Sequence, residues 1–174
     1  MGEATQKGPM RSVVADAGPI IHLHEANALE LLDVLGSVFV PQAVAEEVSC
    51  IIGNQWQAGV TVVNLDERSR QRSQMLITTA GLHRGEAEAI ALAGKTQEPL
   101  LLSDDAAARL YASYINIEVR GSLGLVLAAV VYGRIDKKKG REVLESLQNS
   151  SLWISKTVFR EALSTLEGLV PTTP

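Results

Sequence analysis

The sequence predicts a single α/β domain with a three-layer α/β/α architecture, in which helices cover both faces of a five-stranded parallel sheet. Segments typical of strands and segments typical of helices alternate five times along the chain, the pattern of parallel sheets with helical crossovers. The run Leu100–Leu102 is wholly apolar, as expected of a strand that is covered on both faces. A length of 174 residues without internal repeats fits one domain.

The first half of the chain contains three predicted strands and their helices. Residues Arg11–Asp16 form a β-branched run that ends on a carboxylate before Ala-Gly-Pro, which predicts a strand and a loop. Apolar residues recur at helical spacing from Ile20 to Leu35 and stop at Gly36, which predicts one continuous helix. The remaining predicted elements here are the strand Val38–Val40, the helix Gln42–Ile52, the strand Val60–Leu65 and a polar helix from Asp66 to about Thr78.

The second half contains two predicted strands among more closely spaced helices. Gly121 precedes the most apolar segment of the chain, Leu123–Tyr132, which at about half the length of a bilayer span is predicted to be a buried helix. The tail from Trp153 to Leu169 is predicted to combine a short extended piece with a last helix. The other predicted elements are the helix Arg84–Gly94, the strand Leu100–Ser103, the helix Ala106–Tyr114, the strand Ile117–Val119 and the helix Lys138–Gln148.

Composition narrows the class of protein. Residues 1–10 contain no apolar stretch typical of a signal peptide, and we expect a disordered leader or expression remnant before a domain spanning residues 11–170. Cys50 is the only cysteine, which excludes an intramolecular disulfide and fits a cytoplasmic location. No apolar run is long enough for a membrane span, and His22, His24 and His83 lack the spacing of a zinc site.

Acidic residues follow two of the predicted strands. Asp16 follows the first strand, and the doublet Asp104-Asp105 follows the fourth. Ligands of parallel sheets bind beyond the carboxyl ends of the strands, so these carboxylates face one crevice if the two strands are neighbours. At about 5 Å and an effective dielectric near 20, each pair would repel by roughly 3 kcal/mol unless a proton or a divalent cation offset it.

Two helices contribute further acidic candidates. Val44, Val48 and Ile51 are predicted to form the buried stripe of the helix Gln42–Ile52, which places Glu47 beside the stripe and Glu46 further round. In the later helix, Glu86 precedes Ile90 by one turn and shares its buried face, whereas Glu88 points elsewhere. Glu47 and Glu86 are therefore predicted to face inward, and Glu46 and Glu88 to face solvent.

Each acid also has a purely structural interpretation. Asp16 before Gly-Pro is placed to cap the following helix, and Asp104 or Asp105 is placed to cap the helix at Ala106, an interaction worth about 1 kcal/mol. Glu86 in a first turn complements the helix dipole. However, four separate segments all place acids at one edge of the predicted sheet. A binding site for a hard cation explains this better than coincidence does.

The chain resembles the PIN domain, and in particular a prokaryotic branch of that family. The resemblance covers about Val13 to Ile135 and rests on an ordered set of motifs: VVADAGPIIHLHEANALELL, VFVPQAVAEEV, HRGEAEAIALA, LLLSDDAAARLYA and VRGSLGLVLAA. It implies a parallel-sheet nuclease fold whose acids bind Mg²⁺ or Mn²⁺. The family acids fall on Asp16, Glu47, Glu86 and either Asp104 or Asp105, and the spacing from Ser103 favours Asp105.

The resemblance also carries expectations about substrate and partners. It implies a Mg²⁺- or Mn²⁺-dependent endoribonuclease, membership of a toxin–antitoxin pair with a small antitoxin protein, and a homodimer. The apolar helix Leu123–Tyr132 and the Trp153 region are candidates for such contact surfaces, and core packing explains them equally well. A PIN-like module that binds RNA or protein without cleaving is the alternative. Ala17 departs from the family pattern, which has a small hydroxyl residue there. The receiver-type phosphoacceptor fold is disfavoured, because the chain lacks its acidic pair after strand 1 and its lysine after strand 5.

Basic and hydroxyl residues near the motifs are candidates for substrate contacts. Arg84, Arg109 and Arg120 are placed to hold a phosphate backbone, although Arg109 is equally placed to pair with a site acid. Ser122 either supplies a hydroxyl near the site or caps the helix at Leu123. The net charge of −4 weighs against a protein coated for nucleic acid, so such contacts are expected to be local.

Overall fold

A parallel sheet forms the centre of the molecule. The computed structural model describes residues 11–53, 56 and 59–170, and the expected leader, residues 1–10, lies outside them. The strands are β1 (Arg11–Ala15), β2 (Gly36–Pro41), β3 (Val60–Val63), β4 (Leu100–Leu102) and β5 (Glu118–Arg120). The helices are α1 (Ala17–Glu25), α2 (Gln42–Ile52), α3 (Glu67–Ala80), α4 (Arg84–Ala93), α5 (Ala106–Tyr114), α6 (Ser122–Val131), α7 (Lys137–Gln148) and α8 (Lys156–Gly168).

The strand order of the sheet is β3-β2-β1-β4-β5, and every pairing is parallel. The chain runs outward from β1 to β3 on one side and then returns to place β4 and β5 on the other. The order therefore reverses between β1 and β4, which is where ligands bind in open parallel sheets. Asp16 and the Asp104-Asp105 doublet follow these two neighbouring strands.

Two apolar cores cover the two faces of the sheet. Val13 and Ala15 of β1 point into a larger core with α1, α2, α6, α7 and α8, whereas Val14 between them points into a smaller core with α3, α4 and α5. The strand period of two produces this alternation. Leu100 and Leu102 of β4 face the larger core and Leu101 the smaller one, so β4 is buried on both faces. The predicted three-layer α/β/α fold is confirmed.

The first helix is shorter than predicted. The continuous helix expected from Ile20 to Leu35 ends at Glu25, and only a single 3-10 turn, Leu29–Leu31, follows before β2. Asn27 has a φ of 52°, in the left-handed region that ends helices. The apolar spacing misled the prediction because Leu31, Leu32 and Val34 are still buried after the chain has turned. The prediction of one helix there was wrong.

The most apolar helix of the chain, α6, lies against α7 and α8. Its residues Leu125, Val126, Ala129 and Val130 are buried, which confirms the prediction of a buried helix. Gly140 of α7 permits the close approach, because a Cβ there would lie 2.7 Å from Val130 Cγ2. In the ranges that the structure describes, no helix combines the length and the apolar character needed to cross a membrane.

Candidate functional site

Asp16 lies at the carboxyl end of β1 and caps α1. Its side chain is buried, with only 5% of the residue exposed. Ala17 N–H donates to Oδ1 at 2.7 Å, and Ser103 Oγ donates to Oδ2 at 3.0 Å. Burial raises the pKa of Asp16 to about 6, and the negative charges of Glu86 and Glu47 add smaller contributions. The two hydrogen bonds act in the opposite direction and lower this pKa, but burial outweighs them. The predicted capping role and the predicted place at the strand end are both observed.

Asp104, the first residue of the doublet, is held by three donors. His22 Nδ1 lies 2.8 Å from Oδ2, Ser122 N–H donates to Oδ1 at 2.8 Å, and Ser122 Oγ lies 2.5 Å from Oδ2. Burial acts to raise the pKa of Asp104, but the hydrogen bonds from His22 and Ser122 outweigh it and hold that pKa below its ordinary value. Asp104 is therefore an oriented carboxylate that stays ionised at neutral pH.

Asp105 has a different environment. It is exposed, and its Oδ1 accepts a hydrogen bond of 2.8 Å from Ala108 N–H as the N-cap of α5. The capping interpretation thus holds for Asp105 rather than Asp104. Both carboxylates line the same cleft, Asp104 from its inner wall and Asp105 from its rim.

Glu47 and Glu86 approach Asp16 across Gly85, the second residue of α4. A Cβ at Gly85 would lie 3.0 Å from Glu47 Oε2 and 3.8 Å from Asp16 Oδ1, so the missing side chain leaves room between two carboxylates. Glu86 Oε2 accepts a hydrogen bond of 2.9 Å from His83 N–H at the start of α4. Both glutamates line the same cleft: Glu86 is partly buried, as predicted, whereas Glu47, predicted to face inward, is exposed on α2.

These acids share one open depression, which we call the acidic cleft. Its volume is about 660 Å³. Its lining residues come from the ends of β1 and β4, from α1, α2, α4 and the start of α5, and from the segment before α8: Asp16, Ala17, Gly18, Ile21, His22, Glu47, His83, Glu86, Asp104, Asp105, Ala106, Ser151, Leu152 and Trp153. Across the described ranges, no three His, Cys, Asp or Glu side chains lie close enough together to form a complete metal-ligand set.

Two details of the helix-phase prediction were wrong. Glu88, predicted to face solvent, is only 8% exposed and pairs with Arg84, whose Nε lies 2.9 Å from Glu88 Oε1. Helix α4 is covered on nearly all sides by its neighbours, so its buried side is wider than a single stripe. On α2, Ile52 rather than Ile51 is buried, which does not change the exposed position of Glu46.

The predicted substrate-binding residues have distinct partners. Arg84 pairs with Glu46 and Glu88, and Arg120 Nη2 lies 2.7 Å from Glu118 Oε1. Arg109 Nη1 donates to the carbonyl of Ser103 at 3.0 Å, which is a structural contact other than the predicted pairing with a site acid. Ser122 places its hydroxyl at the site, as one interpretation predicted, whereas Gly121 takes the N-cap position of α6.

Sequence reasoning missed His22. It was treated as an isolated histidine, yet it holds the Asp104 carboxylate across 82 positions of sequence. The only signal available was its position on the helix that Asp16 begins, which does not identify a partner. No local pattern marks a contact between residues so far apart in the chain.

One comparison with known proteins identifies the family of the chain. The model of a family described as a PIN domain matches residues 12–168. No curated protein and no solved structure matches the chain significantly. The family match covers all eight helices named above and, apart from Arg11, all five strands, and it includes every acid of the cleft. The chain therefore belongs to the PIN-domain family.

Proposed function

We propose that this protein is a ribonuclease that depends on Mg²⁺ or Mn²⁺ and hydrolyses phosphodiester bonds in the acidic cleft. PIN domains are generally nucleases, so family membership indicates hydrolase chemistry. The observation that carries the proposal is the gathering of Asp16, Glu47, Glu86 and Asp104 from four segments around one open cleft. A fold gains no stability from unneutralised carboxylates placed together, so their convergence points to a function.

The chemistry of the donors suits a hard divalent cation, although the described side chains stand farther apart than a complete ligand set requires. All the donors are carboxylate oxygens, the ligands that Mg²⁺ prefers. The missing Cβ of Gly85 leaves space between Glu47 and Asp16. Burial and, to a smaller extent, the charges of Glu86 and Glu47 raise the pKa of Asp16, and a bound cation would oppose that rise. Mg²⁺ retains several of its waters in proteins, which suits donors spread around an open cleft. Asp16, Glu47, Glu86 and Asp104 or Asp105 would hold the ion.

The chain's own groups prepare the site for hydrolysis. When bound, the ion would supply Lewis-acid activation of the attacking water and neutralise charge on the phosphate. Ala17 N–H and Ser103 orient the Asp16 carboxylate, while His22 and Ser122 orient Asp104. Because those donors are already in place before substrate arrives, the carboxylates need little reorganisation during the reaction.

Cleavage assays with matched variants test this proposal. The purified protein should cleave RNA with Mn²⁺ or Mg²⁺ and stop when EDTA is added. Asp16→Asn and Glu47→Gln should each lose cleavage, whereas Glu46→Gln should retain it, because Glu46 is exposed, pairs with Arg84 and does not line the cleft. Full cleavage by Asp16→Asn would show the site to be misassigned.

Titration with Mn²⁺ separates the proposed nuclease from a PIN-like module that does not cleave. A functional site should bind Mn²⁺ and lose that binding in Glu47→Gln but not in Glu46→Gln. A parent protein that binds RNA but neither binds Mn²⁺ nor cleaves would favour the binding module.

The wider biological role belongs to the same proposal. The resemblance to prokaryotic PIN domains supports a cytoplasmic toxin of a toxin–antitoxin pair that forms a homodimer and is inhibited by a small antitoxin over the acidic cleft. Of the surfaces suggested for partners, α6 contributes chiefly to the core, whereas Trp153 is exposed. A short adjacent reading frame for a DNA-binding protein would support the toxin role, and light scattering would measure the oligomeric state.

A further inference from the structure

Trp153 is the most exposed large apolar residue of the described chain, with 87% of its surface accessible. Its sequence neighbours behave differently, because Leu152 and Ile154 are partly buried and pack against the larger core. This alternation, typical of extended backbone, turns the indole away from the core. A large aromatic side chain left in water at the edge of a cleft needs an explanation other than packing.

The segment that carries Trp153 is held at both ends. Ser151 N–H and Oγ both donate to Glu25 Oε2, at 2.7 and 2.8 Å, which ties the segment to α1. On the other side, Ser155 Oγ caps α8 by accepting from Val158 N–H at 3.2 Å. The backbone that carries the indole is therefore already ordered, so binding of a ligand to Trp153 costs little backbone conformational entropy.

Trp153 forms a ridge between two depressions. On one side is the acidic cleft, and on the other is a groove of about 460 Å³ between α6 and α8, which we call the second groove. Leu127, Leu152 and Val158 supply apolar surface in the second groove. Asp104, Leu152 and Trp153 line both depressions, so the two adjoin at the site.

The charges of the second groove favour an uncharged occupant. Among the described residues that line it, Arg109 is the one cation, and its guanidinium already donates to the carbonyl of Ser103. Asp104 and Glu161 line the same groove and would repel a phosphate. A flat neutral ring with polar edges matches the surface better than an anion does.

We propose that Trp153 is a stacking platform for an unpaired nucleobase. The base belongs to the RNA strand whose phosphodiester lies in the acidic cleft, and this identification of the ligand as RNA rests on the proposed function. Stacking on aromatic side chains is tolerant of sequence, because every base has a π-face. The subsite therefore selects unpaired nucleotides over duplex, in which the base faces are already stacked.

Fluorescence tests the subsite without any need for cleavage. The chain has two tryptophans, and Trp56 is partly buried against the larger core, so the difference between the parent and Trp153→Phe isolates the emission of Trp153. In EDTA, an unpaired RNA oligonucleotide should quench this emission, and the same sequence in a duplex should not. Quenching confined to Trp56 would overturn the proposal.

Binding measurements with a matched control supply the second arm. Trp153→Ala should weaken binding of the unpaired RNA at least about fivefold, and Trp153→Phe should restore most of it, because a phenyl ring still stacks. Tyr114→Ala is the control: Tyr114 is 83% exposed on α5 and lines neither depression. Equal RNA affinity of the Trp153→Ala and Tyr114→Ala variants would overturn the proposal. Self-association that depends on Trp153, without quenching of Trp153 emission by RNA, would also overturn it.

The outcomes distinguish this inference from the proposed function. If the parent cleaves RNA with Mn²⁺ but Trp153→Ala leaves KM unchanged, the subsite is wrong and the nuclease stands. If unpaired RNA quenches Trp153 but the parent does not cleave with Mn²⁺, the subsite stands and the nuclease is wrong. A rise in KM with little change in kcat in Trp153→Ala, absent from Tyr114→Ala, supports both.

Discussion

Replacing Asp16 with Asn is expected to stabilise the metal-free protein at neutral pH. Asp16 is a buried carboxylate whose pKa is raised from its ordinary value of 3.8 to about 6. Asn has nearly the same shape: its carbonyl oxygen accepts from Ala17 N–H, and its amide donates to Ser103 Oγ. The substitution therefore removes the buried charge while the local hydrogen bonds persist.

The size of the effect follows from the pKa of Asp16 in the folded and the unfolded chain. The folded-state pKa is the higher of the two, so ionisation costs folding free energy at pH above both values, by about 1.36 kcal/mol for each pH unit that separates them. A rise from 3.8 to about 6 corresponds to roughly 3 kcal/mol near pH 7.5. The cost falls to about 0.5 kcal/mol near pH 4, because the carboxyl is then largely protonated in the folded state and only partly ionised when unfolded.

Thermal or urea unfolding in EDTA measures this prediction. For a chain of this size, a gain of about 3 kcal/mol raises Tm by roughly 6–12 °C near pH 7.5, and the gain should shrink as the pH is lowered to about 4. Glu46→Gln, which removes an exposed carboxylate, should change stability by less than about 0.5 kcal/mol at either pH. An Asp16→Asn protein that is less stable than the parent near pH 7.5 would refute the reasoning.

Three further predictions concern the acidic cleft. Mn²⁺ should stabilise the parent by about 2.7 kcal/mol at a hundredfold excess over Kd, measured as a rise in Tm, and should stabilise Asp16→Asn far less. Gly85→Ala should keep the free energy of unfolding within about 1 kcal/mol of the parent's, since the better helix propensity of Ala offsets the crowding. It should nevertheless lower kcat/KM for cleavage at least about tenfold, because the new methyl lies 3.0 Å from Glu47 Oε2. An unchanged kcat/KM would contradict this. Ser122→Ala should lower the free energy of unfolding by about 1.5–3 kcal/mol at neutral pH, because it removes a hydroxyl donor to the ionised Asp104. This loss should shrink as the pH falls below about 4 and Asp104 becomes protonated, which urea unfolding at several pH values measures.

Much of the fold was predictable because local patterns in this chain agree with its tertiary structure. Each strand run is followed by a helix, and the apolar run at β4 is buried on both faces as its composition indicates. Asp16 and the doublet were recognisable as strand-end acids, since they directly follow β-branched or apolar runs. Helix phase also selected Glu47, which lines the acidic cleft, over Glu46, which does not, although both side chains are exposed.

The same reasoning failed where burial does not follow a single stripe. Glu88 was predicted to face solvent, but α4 is enclosed by its neighbours and Arg84 neutralises the glutamate there. The predicted helix to Leu35 failed for a related reason, because buried apolar residues after Asn27 keep their spacing without helical backbone. Periodicity reports which residues are buried, and a continuous helix is only one way to bury them.

The sequence by itself determined the α/β class, the acids at the strand ends and the resemblance to the PIN domain, because these depend on residues close together in the chain. Only the tertiary structure decided that β1 and β4 are neighbours, that His22 holds Asp104, that Asp105 caps α5, and that Trp153 stands exposed between two depressions. Most of these features join segments many tens of residues apart, so they follow from strand order and helix packing. Their energies arise from burial and charge in the assembled cleft, which no single segment contains.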